Sequence, residues 1–222
     1  QCGKSSSSSG SIPVMMTLSS EQAEAIQEMI NIGFGRAVSA VAQILNSRLE
    51  LSVPYVTALD SEAVADFLMN DFPGQDEVHL VQQSFYGNFL GEAALVLPVD
   101  SSHTLVRMLS TDLGYTPELD TEVMEQEVLL EIGNLVIGAS LGQFAELLKT
   151  RVSFKPPQVL RQSLRSETFQ RRVSENKEAA LLVRTSFQMT EENLFGYLFF
   201  FLSSRCQEWL LQEVDRFLEE LM

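Results

Sequence analysis

An α+β fold built from two related halves is what this sequence predicts, and three observations carry that prediction. Two long segments, 20–46 and 120–149, set apolar residues at helical steps of three and four. Several shorter runs are rich in β-formers, and two of them are separated by a Gly-Asn turn. Third, six residues recur at one offset of 103: Glu24, Glu28, Asn31, Gly35, Arg48 and Pro54 return as Glu127, Glu131, Asn134, Gly138, Arg151 and Pro157. An internal duplication explains the recurrence. What is repeated includes polar residues, and packing alone rarely asks for those.

The elements follow in order. Residues 1–16 open with the Ser-rich run QCGKSSSSSGS, expected to be a disordered arm or an added leader, with Met15 or Met16 as a natural start. Residues 17–222 are expected to form one domain of two repeats, about 17–116 and 117–222. Ser19 suits the N-cap of the first helix, with Gln22 as its capping-box partner. The apolar side of that helix is Ile26, Ile30, Gly33, Ala37, Val41 and Ile44. Next come a strand over Leu49 to Ala58 and a short helix over Ser61 to Asn70. Val78 to Tyr86 and Leu90 to Leu97 read as a hairpin, and Ser101 to Ser110 as a helix. In the second half the long helix sets Leu129, Gly133, Val136, Ser140, Phe144 and Leu147 on its apolar side. A strand near Arg151 to Leu160, a hairpin of Ala180 to Met189 with Asn193 to Leu202, and a final helix over Arg205 to Leu221 complete the chain. Arg161 to Lys177 is charged and lacks clear periodicity.

The duplicated residues point one way. At about 100° per residue, Glu24, Glu28, Asn31 and Gly35 form a stripe nearly opposite the apolar one, and Glu127, Glu131, Asn134 and Gly138 do the same. Each copy offers a carboxylate and a carboxamide one turn apart. A merely solvated face accepts Lys, Gln or Asp equally well. Asn is a poor helix former, and each Gly costs about 1 kcal/mol relative to Ala. Their repetition argues for a small, close-approach surface with a function.

Composition excludes several classes. With 15 basic and 30 acidic residues the net charge is −15, which speaks against nucleic acid and anionic membranes. The longest strongly apolar run, Leu194 to Leu202, is about half of a bilayer span, and no secretory signal is evident. Two cysteines, Cys2 and Cys206, make no disulfide framework, and a reducing cytoplasm fits. The two histidines, His79 and His103, lie 24 residues apart and do not suggest zinc. Neither a Walker loop, a dinucleotide fingerprint nor a nucleophile elbow is present. The Phe199 to Phe201 cluster and Trp209, Leu210 and Phe217 read as core. Arg48 and Arg151 follow helix ends, where a cation suits the dipole.

The pattern Glu28-x2-Asn31-x22-Pro54, repeated as Glu131-x2-Asn134-x22-Pro157, resembles the CheC/CheX/FliY phosphatases of chemotaxis. The words EMINIGFGRA and EIGNLVIGAS are similar to that family too, and the likeness runs from about Leu18 to Met222. Two motifs in a chain with no further domain after the last helix look most like a CheC-type member. FliY-like chains append a switch domain, CheX-like chains normally carry one motif, and the FliM middle domain lacks the Glu/Asn pairs. One departure is visible: the family often has Asp or Ser four residues before the Glu, where this chain has Glu24 and Glu127.

The resemblance implies a pseudo-two-fold domain with helices on a largely antiparallel sheet and two exposed motif helices. It implies hydrolysis of the aspartyl phosphate of a CheY-type response regulator, with Glu28, Asn31, Glu131 and Asn134 as catalytic residues. Asn would orient the attacking water, as a Gln does in GTPases, and Glu would pair with the regulator's Lys. A solvent-exposed carboxylate is a weak general base. No cofactor of its own is implied, the divalent metal belonging to the regulator. The alternative is a non-catalytic adaptor that sequesters a response regulator or a CheD-type deamidase, the latter through a helix around Val159 to Glu178.

Overall fold

A computed structural model describes residues 18–44, 49–51, 55–59, 76–112, 121–167, 179–184, 187–189, 194–202 and 204–221, with 63, 66, 67, 69 and 70. Its elements are α1 (Ser20–Ile44), β1 (Leu49–Leu51), β2 (Tyr55–Leu59), β3 (Glu77–Gly87), β4 (Gly91–Pro98), α2 (Val99–Asp112) and α3 (Thr121–Leu147). They continue with β5 (Val152–Phe154), β6 (Gln158–Ser163), β7 (Ala179–Arg184), β8 (Phe187–Met189), β9 (Tyr197–Leu202) and α4 (Ser204–Leu221). Of the short helix expected over 61–70, Ala63, Asp66, Phe67, Met69 and Asn70 are helical; the rest, like the arm over 1–16, falls outside the described residues.

All strand pairs are antiparallel. The main sheet runs β2-β7-β9-β4-β3, with β5 and β6 successively against the outer edge of β3; β1 pairs β8 separately. Leu49 and Val152, which begin β1 and β5, stand 103 residues apart, as do Tyr55 and Gln158, which begin β2 and β6. Of these, β2 and β6 sit at matching distances from the central β9–β4 pair, each separated from it by one strand.

Both faces of the sheet are covered, so its strands read as apolar runs rather than as alternation. β9 is YLFFFL, buried at every position. On one face Val81, Phe85, Leu95, Leu97, Leu198 and Phe200 meet the helices. On the other, Val78, Leu80, Val96, Tyr197, Phe199 and Phe201 form a smaller core against Phe67, Leu160 and Phe195. Phe67 stands edge-on to Tyr197 and Phe199, with centroids 5.5 and 6.2 Å away.

The helical layer centres on α1 against α3. Gly33 makes that crossing possible: a Cβ there would lie 2.9 Å from both the Gln143 Cβ and the Ser140 carbonyl oxygen. Gly133 does the same for α3 on the sheet, where a Cβ would lie 2.4 Å from Val81 Cγ1. In α4, Leu210 is buried, while Trp209 and Phe217 pack on the core from partly exposed positions. Trp209 stacks on Phe89 at 5.1 Å.

Several corrections concern length and continuity. The strand expected over Leu49 to Ala58 is β1 and β2, and that over Ala180 to Met189 is β7 and β8, with β1 and β8 in a sheet apart from β2 and β7. The strand expected over Arg151 to Leu160 is two strands, β5 and β6, separated by Lys155, Pro156 and Pro157, and β6 carries on through Arg161 to Ser163. The expectation that Leu194 to Leu202 was the longest apolar stretch overlooked α3. Residues Glu122–Leu147 are long and apolar enough to cross a membrane by length and composition, though 61% of the most apolar window is buried inside the protein.

Candidate functional site

The start of α1 is fixed by its cap. Ser19 Oγ accepts from Gln22 N–H at 3.1 Å, and Gln22 Oε1 accepts from Ser19 N–H at 3.0 Å. This reciprocal box sets the helix phase. Ile26, Ile30, Gly33 and Ala37 are buried, whereas Glu24 and Glu28 are exposed and Asn31 and Gly35 are half-buried. In α3, Leu129, Gly133, Val136, Ser140 and Phe144 are buried, Glu127, Glu131 and Asn134 are exposed, and Gly138 is half-buried. Each Glu/Asn pair thus lies on one helix, a turn apart and accessible from outside. Of the remaining repeated residues, Arg151 is exposed and Pro157 half-buried, while Arg48 and Pro54 fall outside the described residues.

The glycines divide into two kinds. Gly33 and Gly133 are required by the packing just described. At Gly35 and Gly138 an added Cβ would meet no atom within 4 Å. Nothing inside the protein asks for glycine there, although each costs about 1 kcal/mol of helix stability relative to alanine. Beside Asn31 an open groove runs along α1, lined by Ile32, Gly35, Arg36, Ser39 and Gln43, with Ile32 exposed. Arg36 reaches Glu146 of α3 at 3.7 Å, and Ser39 Oγ donates to the Gly35 carbonyl at 2.8 Å.

Beside Asn134 the surroundings differ. Gln83 of β3, only 2% exposed, donates from Nε2 to Asn134 Oδ1 at 3.0 Å and to the Lys155 carbonyl at 3.1 Å. Lys155 N–H in turn donates to the Ser84 carbonyl at 2.9 Å. Between the Phe85–Phe154 and Gln82–Gln158 pairs, Gln83 and Ser84 face three residues, Lys155, Pro156 and Pro157. That is a β-bulge, built where two prolines lack the N–H a regular ladder would use. The chain reaches it through a tight helix end: Thr150 N–H donates to the Ala145 carbonyl and Lys149 N–H to that of Glu146, with Lys149 at φ 52°. Gln83 was missed from the sequence. The available signal was its phase in β3, since His79, Val81 and Phe85 on the same alternation are all buried.

The two histidines converge although their spacing suggested nothing. Glu125 Oε1 of α3 lies 3.7 Å from His79 Nδ1 and 3.4 Å from His103 Nε2. Burial pushes the His79 imidazole below its ordinary range of about 6.5, against the opposing pull of Glu125. A small pocket beside them is lined by Glu122, Gln126, Val159 and Arg161, and Arg161 pairs with Glu77 at 2.6 Å. Among the described residues no group of three or more His, Cys, Asp or Glu could hold a metal ion. The segment expected to offer a helix around Val159 to Glu178 begins instead as β6, paired with β3 through Ser163; residues 168–178 fall outside the described residues.

No family model matches the chain. It is 29% identical over 141 residues to the CheY-P phosphatase CheC of Bacillus subtilis, covering 63% of this chain and 66% of CheC. It is 20% identical over 178 residues to the flagellar motor switch phosphatase FliY of the same organism, covering 80% of this chain and 45% of FliY. The chain therefore matches less than two thirds of the length of either relative. Among solved structures, Thermotoga maritima FliY superposes with a TM-score of 0.70 at 20% identity, over 90% of this chain and 98% of that one. The chain is thus similar in sequence to CheC and FliY and shares its fold with FliY, which supports a place in the CheC/CheX/FliY family.

Proposed function

We propose that this chain is a phosphatase acting on the aspartyl phosphate of a CheY-type response regulator in the cytoplasm. The observation that carries this reading is the accessible placement of Glu131 and Asn134 one turn apart on α3, matched by Glu28 and Asn31 on α1. Its relative CheC is named for this activity.

An acyl phosphate needs little covalent help. It needs a positioned water and stabilised charge. Asn31 or Asn134 orients the water against phosphorus. The new P–O bond forms in line as the bond to the aspartyl oxygen breaks, the electron pair returning to the carboxylate and the water's proton leaving with phosphate or solvent. Glu28 or Glu131 docks on the regulator's Lys and sets the depth of insertion. Gly35 and Gly138, one turn beyond each Asn, leave room for the partner's backbone to approach. The divalent metal belongs to the regulator.

The test is the decay of a phosphorylated CheY-type regulator with and without the protein. Wild-type protein accelerates the decay, and Asn31→Ala with Asn134→Ala abolishes the acceleration while leaving the circular dichroism and regulator binding intact. A double variant with wild-type turnover overturns the mechanism. A wild-type protein that binds the regulator without accelerating decay makes it an adaptor instead.

A further inference from the structure

We propose that Gln83 is a positioning residue for Asn134, fixing its carboxamide so that the NH2 group, and not the carbonyl oxygen, faces the substrate. This rests on the phosphatase reading for its consequence, though not for its geometry.

The orientation of a carboxamide is ordinarily ambiguous, because its oxygen and nitrogen are alike in shape. Here a backbone atom removes the ambiguity. The Lys155 carbonyl oxygen can only accept, so the end of Gln83 that lies 3.1 Å from it must be the NH2 group. The same nitrogen lies 3.0 Å from Asn134, so the Asn134 atom facing it must be an acceptor, Oδ1. Its two N–H donors are then left for a partner. The polarity of one backbone carbonyl is passed through Gln83 to an exposed catalytic amide.

The cost of this arrangement points the same way. Gln83 Oε1 is buried with no hydrogen-bond partner. Leaving an acceptor unsatisfied costs about 1–3 kcal/mol. Turning the Gln83 amide over would set its oxygen against the Lys155 oxygen and strand the nitrogen instead. Its neighbours on the same alternation, Val81 and Phe85, are apolar and offer Oε1 no polar group to offset that cost. The bulge completes the device. Because Pro156 and Pro157 interrupt the ladder, the Lys155 carbonyl is turned to a side chain rather than to a strand N–H.

The chemical consequence is specific. Asn134 meets the attacking water as a donor, occupying one lone pair of the water and leaving the other for phosphorus. A freely rotating amide would present donor and acceptor in turn and would hold the water's oxygen in no single position.

The experiment uses the full chain with the first site silenced by Glu28→Ala/Asn31→Ala, so that only the second is read. With a CheY-type regulator phosphorylated by acetyl phosphate, Gln83→Met lowers kcat on the order of tenfold through misplacement of the amide, with KM within about twofold. Independently, in the wild-type protein, the Gln83 side-chain amide protons exchange with solvent far more slowly than those of exposed Gln126, and Asn134→Ala removes part of that protection. Equal turnover in Gln83→Met or fast exchange at Gln83 overturns the proposal. If wild-type protein has no phosphatase activity, the functional reading fails alone, and the exchange measurement still decides whether Gln83 holds Asn134.

Discussion

The two motif helices carry the same pair of side chains in different settings. On α3, Asn134 is exposed yet tethered through Gln83 to a backbone carbonyl. On α1, Asn31 is half-buried, borders an open groove, and has no side-chain hydrogen-bond partner among the described residues. Ser84-Phe85 recurs as Ser186-Phe187, 102 residues later, so the residue that corresponds to Gln83 is Thr185, which cannot offer two N–H donors. Accessibility and order are therefore separate properties here. One site is braced, and the other faces a groove beside Ile32 and Arg36 that suits contact more than precision.

The sharpest way to break that comparison is to assay the sites singly. Glu131→Ala/Asn134→Ala is expected to lose most of the turnover, leaving on the order of a tenth, whereas Glu28→Ala/Asn31→Ala retains the larger share. Neither of these single-site variants is fully inactive; complete loss requires both sites to be disabled. Equal losses would mean that bracing contributes nothing, and the reverse order would transfer the leading role to α1.

The glycines give the next largest effect, of opposite sign at neighbouring positions. Gly133→Ala is expected to destabilise the fold by about 1–3 kcal/mol, because its methyl would collide with Val81. Gly35→Ala and Gly138→Ala should each stabilise it by about 0.5–1 kcal/mol, and both should weaken regulator binding. Urea titrations of the variants give the first readout and titration with the regulator the second. If either exposed-side alanine binds the regulator as well as wild type, close approach of a partner is not why glycine stands there.

The smallest effect concerns pH, and it lies on β3, the strand that also carries Gln83. His79 is held below its ordinary 6.5 by burial, with Glu125, His103, Arg161 and Glu77 around it. Between the folded value and 6.5 the unfolded chain binds the extra proton, so stability is full above about 6.5 and declines as pH falls below it. Denaturation followed from pH 7.5 to 5.5 should show this slope in wild type and less of it in His79→Leu. An identical slope in both would assign the dependence elsewhere.

Much of this was legible in the chain. The periods of α1 and α3 were long enough to set which residues turn outward, and the Ser19/Gln22 box confirmed the phase of α1. The β3–β4 hairpin was marked by its flanking β-formers and Gly-Asn turn. The bulge was not read, although Pro156-Pro157 interrupts a β-rich run; whether prolines end a strand or bulge it depends on the neighbour, and that neighbour is β3, some seventy residues earlier (Lys155 to Gln83 spans 72). Gln83 was invisible for the same reason, since its role exists only once sheet register brings it to a helix 51 residues further on. The meeting of His79, His103 and Glu125 depends on how α2 and α3 dock, which spacing does not encode.

The sheet order has a consequence in time. Tyr55 of β2 pairs with Arg184 of β7, a separation of 129 residues, and among the described residues β7 joins the rest of the sheet through β9. Loop closure on that scale is entropically slow, and chains dominated by such pairings fold late and all together. During synthesis at about 5–20 residues per second, β2 waits with an unsatisfied edge for many seconds before its partner exists. The β3–β4 hairpin, by contrast, can close as soon as it emerges. Refolding followed by hydrogen-exchange labelling should protect the amides of β3 and β4 first and those of β2 last, so the interval in which this chain is open to mispairing is set by its first half waiting for its second.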